Sequence, residues 1–316
     1  MTSSTRCAVD EALRHARNLN AAFSDVALMK RFLVAAAALP VAYAFVEPHR
    51  VVVRRFDVEM PHLPREAEGL KVAQLSDLHC SVVTSHKIIR RAVQLCNAEK
   101  PNIVALTGDY ISRPDSYLFE PLLKRLAKTP LEYARHCAEE LSQLRARDGI
   151  FAVHGNHDFA AGSFATMDNL LRERGIKVLV NASTRCRGLA VIGLDDLRQG
   201  NVDVRAATQS ISGDEAQLIL SHNPRMFHSL QGRNALILSG HTHGGQVHLP
   251  MSSFRRRPCD MRGSEFHDGW YRKNDAQMFI SVGVGSVHFP LRFRCPPEIC
   301  IFTLRNKPQM NTDKCR

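Results

Sequence analysis

The chain has 316 residues, which is enough for one large domain or two small ones. Hydrophobic residues make up 44% of it and charged residues 23%, and this ordinary globular usage excludes an intrinsically disordered chain. The formal net charge is +11. That excess leaves two interpretations open: a basic solvated surface, or an anionic partner such as phosphate, nucleic acid or an acidic lipid surface.

The nine cysteines do not form a recognisable framework. Their number is odd, and no Cys-x-x-Cys or Cys/His zinc spacing occurs. This pattern predicts that the chain has no disulfide scaffold, and it favours a reducing compartment.

The N-terminal part divides into a polar extension, residues 1–28, and a hydrophobic segment, residues 29–48. In the second, Met29-Lys30-Arg31 precedes an uncharged run, 32–46, which is shorter than the roughly 20 residues that span a bilayer upright. The basic flank and the triplet Ala42-Tyr43-Ala44 also fit a signal peptide that starts at Met29. A membrane anchor is favoured. A cleaved signal and a buried helix stay open, as do the true start and the membrane topology.

From residue 51 onward, short β-type runs alternate with helical patterns. Strands are predicted at 51–58, 71–75, 103–106, 150–153, 189–192, 217–220, 235–238, 247–249, 278–282 and 299–304. Helices are predicted at 86–97 and 132–147, and a shorter one at 121–128 is either a core helix or a lid or bilayer-docking element. The alternation predicts an α/β fold, a two-sheet mixed β-sandwich flanked by helices, over 49–306 with a tail at 307–316.

Unusual polar residues come directly after the predicted strands. They form five motifs in chain order: Asp77-Leu78-His79, Gly108-Asp109, Gly155-Asn156-His157-Asp158, Ser221-His222 and Gly240-His241-Thr242-His243. Ligands of open α/β sheets bind beyond the carboxyl ends of the strands, so these loops are expected to converge there.

The side chains in these motifs indicate a metal site. The candidate ligands are Asp77, His79, Asp109, Asn156, His222, His241 and His243. Oxygens and imidazoles without thiolate suit Mn, Fe, Zn or Co, with Mn favoured here. The set is too large for one tetrahedral ion but sufficient for two ions that share a carboxylate and clamp a phosphoryl group. Glycines 108, 155 and 240 would let backbone approach the site closely.

The motifs differ in how specific they are. Asp-x-His and Gly-Asp are common loop patterns, whereas Gly155-Asn156-His157-Asp158 and Gly240-His241-Thr242-His243 are rare. In their order along the chain, the motifs closely resemble those of the calcineurin-like metallophosphoesterases, and the resemblance covers residues 66–306.

Two further stretches resemble one branch of that superfamily, the membrane-associated YkuE/YaeI branch. They are 240–246, and the C-terminal set Gly283-Val284-Gly285, Pro290-Leu291-Arg292 and Pro296-Pro297-Glu298. That branch includes bacterial phosphodiesterases and a UDP-diacylglucosamine pyrophosphatase of lipid A synthesis.

The resemblance implies a role for each motif residue. Asp77, His79 and His243 would bind one metal. Asn156, His222 and His241 would bind the other, with Asp109 bridging.

The resemblance also implies that His157 is a catalytic histidine that binds no metal but steadies the phosphoryl group or protonates the leaving group. Ser112 stands where the protein phosphatases carry the aspartate that pairs with this histidine, which argues against protein phosphatase activity. Arg113 is a candidate phosphate contact or an ordinary surface arginine. The triplet Arg255-Arg256-Arg257 either holds an anionic head group or is a solvated charge run.

These observations predict a two-metal hydrolase acting on a phosphodiester or pyrophosphate. A lipid-linked substrate such as UDP-2,3-diacylglucosamine is favoured because of the hydrophobic segment. General phosphodiesterase or phosphomonoesterase activity on soluble substrates, and a non-catalytic scaffold, are the alternatives. The expected partners are the substrate and a membrane surface, with no specific nucleic acid. The chain is expected at the inner membrane through its N-terminal segment, or exported after signal cleavage.

Overall fold

The structure is a computed structural model, and it describes residue 29 and residues 38–112, 125–160, 164–248 and 265–306. By its internal contacts the chain divides into two compact units, Met1–Phe45 and Val46–Arg316. Residues 38–46 are helical. Within these described ranges, no helix combines the length and hydropathy that a membrane crossing requires. The polar extension, residues 30–37 of the hydrophobic segment and the tail lie outside the described residues.

Two six-stranded sheets form the described part of the second unit. The strands are β1 (Val52–Met60), β2 (Lys71–Leu75), β3 (Ile103–Leu106), β4 (Gly149–Ala152), β5 (Lys177–Val178), β6 (Ala182–Cys186), β7 (Leu189–Gly193), β8 (Gln217–Leu220), β9 (Ala235–Ser239), β10 (Gly269–Lys273), β11 (Ala276–Ile280) and β12 (Glu298–Asn306). The helices are α1 (His86–Ala98), α2 (Pro130–Leu141), α3 (Asn156–Ala160), α4 (Phe164–Glu173), α5 (Val204–Thr208) and α6 (Phe227–Leu230).

The first sheet has the order β1-β12-β2-β3-β4-β5, and the second has the order β10-β11-β9-β8-β7-β6. In the first sheet, only the β12–β2 pair is antiparallel. In the second, the two outermost pairs, β10–β11 and β6–β7, are antiparallel and the inner pairs are parallel. The predicted fold class, a mixed two-sheet α/β sandwich, is therefore confirmed.

Alternate residues of each inner strand enter different hydrophobic cores. Val72 packs between the two sheets, whereas its neighbour Ala73 packs on the outer face under helices α1 and α2. The same alternation places Leu218 between the sheets and Ile219 on the outer face of the second sheet. Both faces of the inner strands are thus buried, which is why they read as uninterrupted apolar runs.

Several predicted elements differ from the observed ones. Helix α2 begins at Pro130, where Thr129 and Glu132 form a capping box, and it ends at Leu141, six residues earlier than expected. The apolar stripe continues to Leu144 because that side chain is buried in a turn. The strand predicted at 247–249 is only a single bridge between Val247 and Phe293 in the described residues.

The short helix predicted at 121–128 is wrong in its second half. Residues 125–126 form a turn and 127–128 have no regular structure, while 121–124 lie outside the described residues. Arg113 and the triplet Arg255-Arg256-Arg257 also lie outside them.

Candidate metal centre

The predicted ligands sit on loops that leave both sheets at one edge. In the first sheet, Asp77 and His79 follow β2, Asp109 follows β3, and Asn156 follows β4. These loops are joined by backbone hydrogen bonds, from Asp77 N to Gly108 O (3.0 Å) and from His79 N to Asp109 O (3.0 Å). The parallel strands therefore deliver three ligand-bearing loops side by side.

The second sheet brings the remaining histidines to the same edge. His222 follows β8, and His241 and His243 follow β9. Three contacts connect the two sheets here: His222 Nδ1 to Thr107 O (2.8 Å), His241 N to Asp77 Oδ1 (3.0 Å), and Gln74 Nε2 to Ser239 O (2.9 Å). The site lies where the two sheets face each other.

Two groups of buried side chains have the spacing of metal ligands. One group consists of Asp77, His79, Asp109 and His243, and the other of Asp109, His222 and His241; within each group the ligand atoms lie within 4.8 Å of one another. Asp109 belongs to both. Its Oδ2 lies 3.5 Å from His79 Nε2 and 3.2 Å from His222 Nε2. This overlap is the arrangement that two ions sharing one carboxylate require.

Asn156 and His157 open helix α3 beside these groups. Asn156 Oδ1 is buried and accepts no hydrogen bond from any described residue, so this oxygen fits a metal ligand. The backbone N–H of His157 donates to Asp109 Oδ1 (2.8 Å), and its ring stands edge-on to that of His79, with centroids 4.9 Å apart. His157 thus contacts the shared carboxylate through its main chain and leaves its imidazole available.

The backbone at the site adopts an unusual conformation. Asp77, His79, Asp109, His241 and His243 have φ of 51°, 46°, 57°, 73° and 52°, in the left-handed region that side chains with a Cβ rarely adopt. Each such residue costs of order 1 kcal/mol, and clusters of them occur at functional sites. The loops are therefore shaped to aim the ligand side chains inward.

Comparison with known proteins gives the family. Residues 70–281 match the family model described as calcineurin-like phosphoesterase. The chain belongs to the calcineurin-like phosphoesterases. It is similar to the uncharacterized metallophosphoesterase YkuE of Bacillus subtilis, at 28% identity over 83% of this chain and 88% of that protein.

Two other relatives have more specific names. Phosphodiesterase YaeI of Escherichia coli is 29% identical over 75% of this chain and 83% of that protein. UDP-2,3-diacylglucosamine pyrophosphatase LpxG of Chlamydia trachomatis is 25% identical over 83% of this chain and 92% of that protein. Together with the family match, these relatives identify the chain as a phosphoester hydrolase.

Burial gives three of the four histidines in the two ligand groups the protonation state that metals bind. Burial lowers the pKa of His241 to about 3 and that of His79 and His243 well below the ordinary value. Burial also raises the pKa of Asp77 to about 6. Burial opposes ionisation of Asp109 as well, but the charges on His222 and His157 hold its pKa well below the usual range. Neutral imidazoles and an ionised shared carboxylate are suited to divalent cations.

His222 is the exception among the histidines. Burial would lower its pKa, but the neighbouring carboxylates, Asp109 first, raise it to about 10. A divalent ion at Asp109 would replace this proton as the partner of the carboxylate, so metal binding at this group is expected to release protons.

Three supporting residues were not predicted from the sequence. Ser112 is buried with its hydroxyl against His79 Nδ1, which leaves Nε2 of that ring directed at Asp109. Asp158 accepts from the backbone N–H of Asp109 (3.0 Å) and of Gly155 (2.9 Å). Such contacts orient ligands and set their basicity. The sequence signal was that Asp158 closes the motif Gly155-Asn156-His157-Asp158 and that Ser112 lies three residues after Asp109, where the protein phosphatases carry an aspartate.

The third is Asp196, which follows β7 at the same edge of the second sheet. It is fully buried, and its Oδ1 accepts from the backbone of Arg198 (2.9 Å) and Gln199 (2.8 Å). Its Oδ2 has no hydrogen-bond partner among the described residues. The paired acids Asp195-Asp196 after a predicted strand were the overlooked signal.

Gly240 provides a test of how tightly the Asp77 group is packed. A Cβ at this position would lie 2.0 Å from Ser76 Oγ and 2.1 Å from Asp77 Oδ2, so Gly240→Ala is expected to displace the carboxylate. We expect loss of one bound ion and a fall in turnover of roughly 10–100-fold. Gly232→Ala is the matched control because, apart from its chain neighbours, no described residue has a heavy atom within 4 Å of the Cβ added there. Equal metal content in the two variants, by elemental analysis, would contradict this expectation.

Proposed function

We propose that this phosphoesterase uses two divalent ions to hydrolyse a phosphodiester or pyrophosphate bond in a lipid-linked substrate. The observation that carries the proposal is Asp109, which belongs to both buried ligand groups. A single-ion site would need only one of these groups. A carboxylate shared by two ions is the arrangement that supports in-line displacement at phosphorus.

The two ions would divide the remaining ligands between them. Asp77, His79 and His243 would hold one ion, and Asn156, His222 and His241 the other. Mn²⁺ is the proposed metal, since the donors are carboxylate and amide oxygens and imidazole nitrogens without thiolate. Bound there, the ions would supply Lewis-acid stabilisation of charge on the phosphoryl oxygens and a lower pKa for an attacking water.

His157 is the proposed proton donor to the leaving group. It belongs to neither ligand group, yet its ring is in edge-to-face contact with that of His79, with centroids 4.9 Å apart. A positioned imidazole next to the phosphoryl group can protonate the departing oxygen as the bond to phosphorus breaks. Arg113 is proposed as a phosphate contact on the strength of its place beside Ser112 in the sequence.

The choice of substrate is supported by the relatives and by the N-terminal segment. One relative is named for pyrophosphate hydrolysis in UDP-2,3-diacylglucosamine and another as a phosphodiesterase. The helical residues 38–46 expose Leu39, Val41 and Phe45. Apolar side chains next to basic residues such as Arg31 bind anionic bilayers by hydrophobic burial and by charge. We therefore propose membrane association through this segment, with export after signal cleavage as the alternative.

A truncation separates the membrane role from the catalytic role. The structure favours a cut after Phe45 and not after Pro48, because Glu47 is buried near the backbone N–H of Cys295 (3.5 Å). Residues 46–316 with Mn²⁺ should hydrolyse bis(p-nitrophenyl) phosphate as fast as the full chain. On UDP-2,3-diacylglucosamine in vesicles, the truncated protein should be slower by roughly 10-fold or more, because tethering raises the effective concentration at the surface.

Each part of the proposal fails on a different outcome. No hydrolysis of either substrate by the Mn²⁺-loaded full chain would overturn the proposed function. Faster turnover of p-nitrophenyl phosphate than of bis(p-nitrophenyl) phosphate and UDP-2,3-diacylglucosamine would make the chain a phosphomonoesterase. Full-length protein that is unprocessed at its N-terminus and stays in the soluble fraction after membrane fractionation would overturn the proposed anchoring.

A further inference from the structure

Arg292 is a buried cation whose partners are main-chain carbonyls. Its side chain is the largest among the fully buried side chains of the described residues. The guanidinium donates to Val282 O (2.8 Å), Gly283 O (3.3 Å), Gly285 O (2.5 Å) and Cys295 O (3.0 Å). It forms no ion pair with a carboxylate among the described residues. We call Arg292 and these four carbonyls the Arg292 clamp.

A buried cation without a countercharge is costly. Desolvating a guanidinium opposes folding, and an apolar side chain of similar volume would avoid this cost. What an apolar side chain cannot do is hold several carbonyls at once, which the planar fork of arginine does. The clamp is therefore suited to organising the segment 282–285 and not to general stability.

The segment 282–285 touches the residues that carry the Asp77 group. Val284 N donates to Ser76 O (3.0 Å), and Gly285 N donates to Asp77 O (2.6 Å). A Cβ added to Gly283, whose φ is +73°, would lie 2.6 Å from Asp77 Cβ. A shift of this segment would therefore move the backbone of Asp77.

The other end of the clamp touches the loop that carries His243. Cys295, whose carbonyl accepts from Arg292, donates through its thiol to His243 O (3.5 Å). Gln246 holds the chain between the segment 282–285 and Arg292. Its Nε2 donates to Leu291 O (3.2 Å), and its Oε1 accepts from Val287 N (2.7 Å). The clamp thus joins the two loops that supply Asp77 and His243.

We propose that Arg292 is a positioning residue for the ion held by Asp77, His79 and His243, and acts on that ion more than on the other. This inference rests on the proposed two-metal function. Of the other ion's ligands, His241 donates its N–H to Asp77 Oδ1 (3.0 Å), but His222 is held through Nδ1 by Thr107 O (2.8 Å), outside the clamp, so that ion should be affected less. The clamp would set the separation of two ligands that lie far apart in the sequence.

The test measures Mn²⁺ binding to the full chain with Arg292→Met and Arg292→Lys. In Arg292→Met, we expect one ion to bind about 10–100-fold more weakly, the size of effect that outer contacts have on metal sites, while the other keeps its affinity. Titration calorimetry gives the two affinities. Electron paramagnetic resonance should show the spin-coupled dinuclear signal replaced by a mononuclear one. Arg292→Lys should recover part of the lost affinity, since an ammonium reaches fewer carbonyls than the guanidinium fork.

Two controls separate positioning from a general loss of stability. Arg233→Met removes a half-buried arginine that bonds the side chains of Gln217 (3.1 Å) and Thr208 (2.8 Å), and it should leave both ions in place. Gly283→Ala keeps Arg292 but places a Cβ 2.6 Å from Asp77 Cβ, so it should show the selective loss that follows when segment 282–285 and Asp77 are pushed apart. Gly175→Ala has the same left-handed backbone (φ +75°), but no described residue beyond its chain neighbours has a heavy atom within 4 Å of the added Cβ, so this variant should keep both ions.

The outcomes distinguish this inference from the function on which it rests. Two ions at wild-type affinity in Arg292→Met, or equal weakening of both ions, would overturn the role of Arg292. If Arg292→Met does not fold, Gly283→Ala decides in the same way, since unchanged binding there overturns the inference. A wild-type chain that binds one ion only would instead overturn the two-metal function.

Discussion

Replacing Asp109 with asparagine is expected to remove both divalent ions and to lower turnover by about 10³-fold or more. The substitution deletes the one charge that both ligand groups share and replaces a second acceptor oxygen with an NH₂ donor. Losing metal-derived charge stabilisation costs several kcal/mol in the transition state, and each ~1.4 kcal/mol is a factor of ten in rate. Elemental analysis of the dialysed protein and turnover of bis(p-nitrophenyl) phosphate measure the two effects.

The fold should survive this substitution. The backbone N–H and C=O of Asp109 bond Asp158 and His79, and the amide oxygen can still accept from the backbone of His157 (2.8 Å). Asp57→Asn is the matched control, because among the described residues the side chain of that exposed aspartate pairs only with Arg305 (3.2 Å). Two tightly bound ions together with unchanged turnover in Asp109→Asn would contradict the dinuclear assignment.

Replacing His157 with alanine should separate catalysis from metal binding. We expect both ions to remain while kcat falls by roughly 10²–10⁴-fold, the usual contribution of a positioned acid–base group. Metal binding should persist because His157 supports Asp109 through its backbone N–H, which every substitution except proline retains. The loss should shrink for substrates with good leaving groups, since these need little protonation.

The measurement pairs metal content with kcat over a series of aryl phosphodiesters of rising leaving-group pKa. His136→Gln is the control, because this histidine lies on helix α2 with its ring centroid 5.5 Å from that of His86, outside both ligand groups. A constant rate loss across the series would exclude leaving-group protonation. Loss of metal in His157→Ala would instead make His157 a ligand.

The inner strands could be predicted because each is buried on both faces. The runs at 103–106 and 217–220 contain almost only apolar residues and have the bounds that the structure shows. The three strands that were not predicted, β5, β6 and β10, are all edge strands of the two sheets. An edge strand has one partner and carries polar side chains, as in Ala182–Cys186, so it lacks the apolar run that marks a buried strand.

The sequence by itself determined which side chains lie at the carboxyl ends of the strands and in what order, because strand and loop patterns depend on residues that are adjacent in the chain. It also gave the family resemblance that the comparison confirmed. It did not decide the surroundings of each ligand. Ser112 contacts His79 only because the loops after β2 and β3 lie side by side in a parallel sheet.

Only the tertiary structure decided the distances within the site and the burial and contacts of Arg292. In the sequence this residue belongs to the C-terminal set Pro290-Leu291-Arg292, which assigns it no role, but in the fold it is fully buried against four carbonyls. Asp77 and His243 are brought within 3.3 Å by the packing of two sheets. Burial and contact depend on segments that are distant along the chain, and no local pattern of residue types specifies how such segments meet.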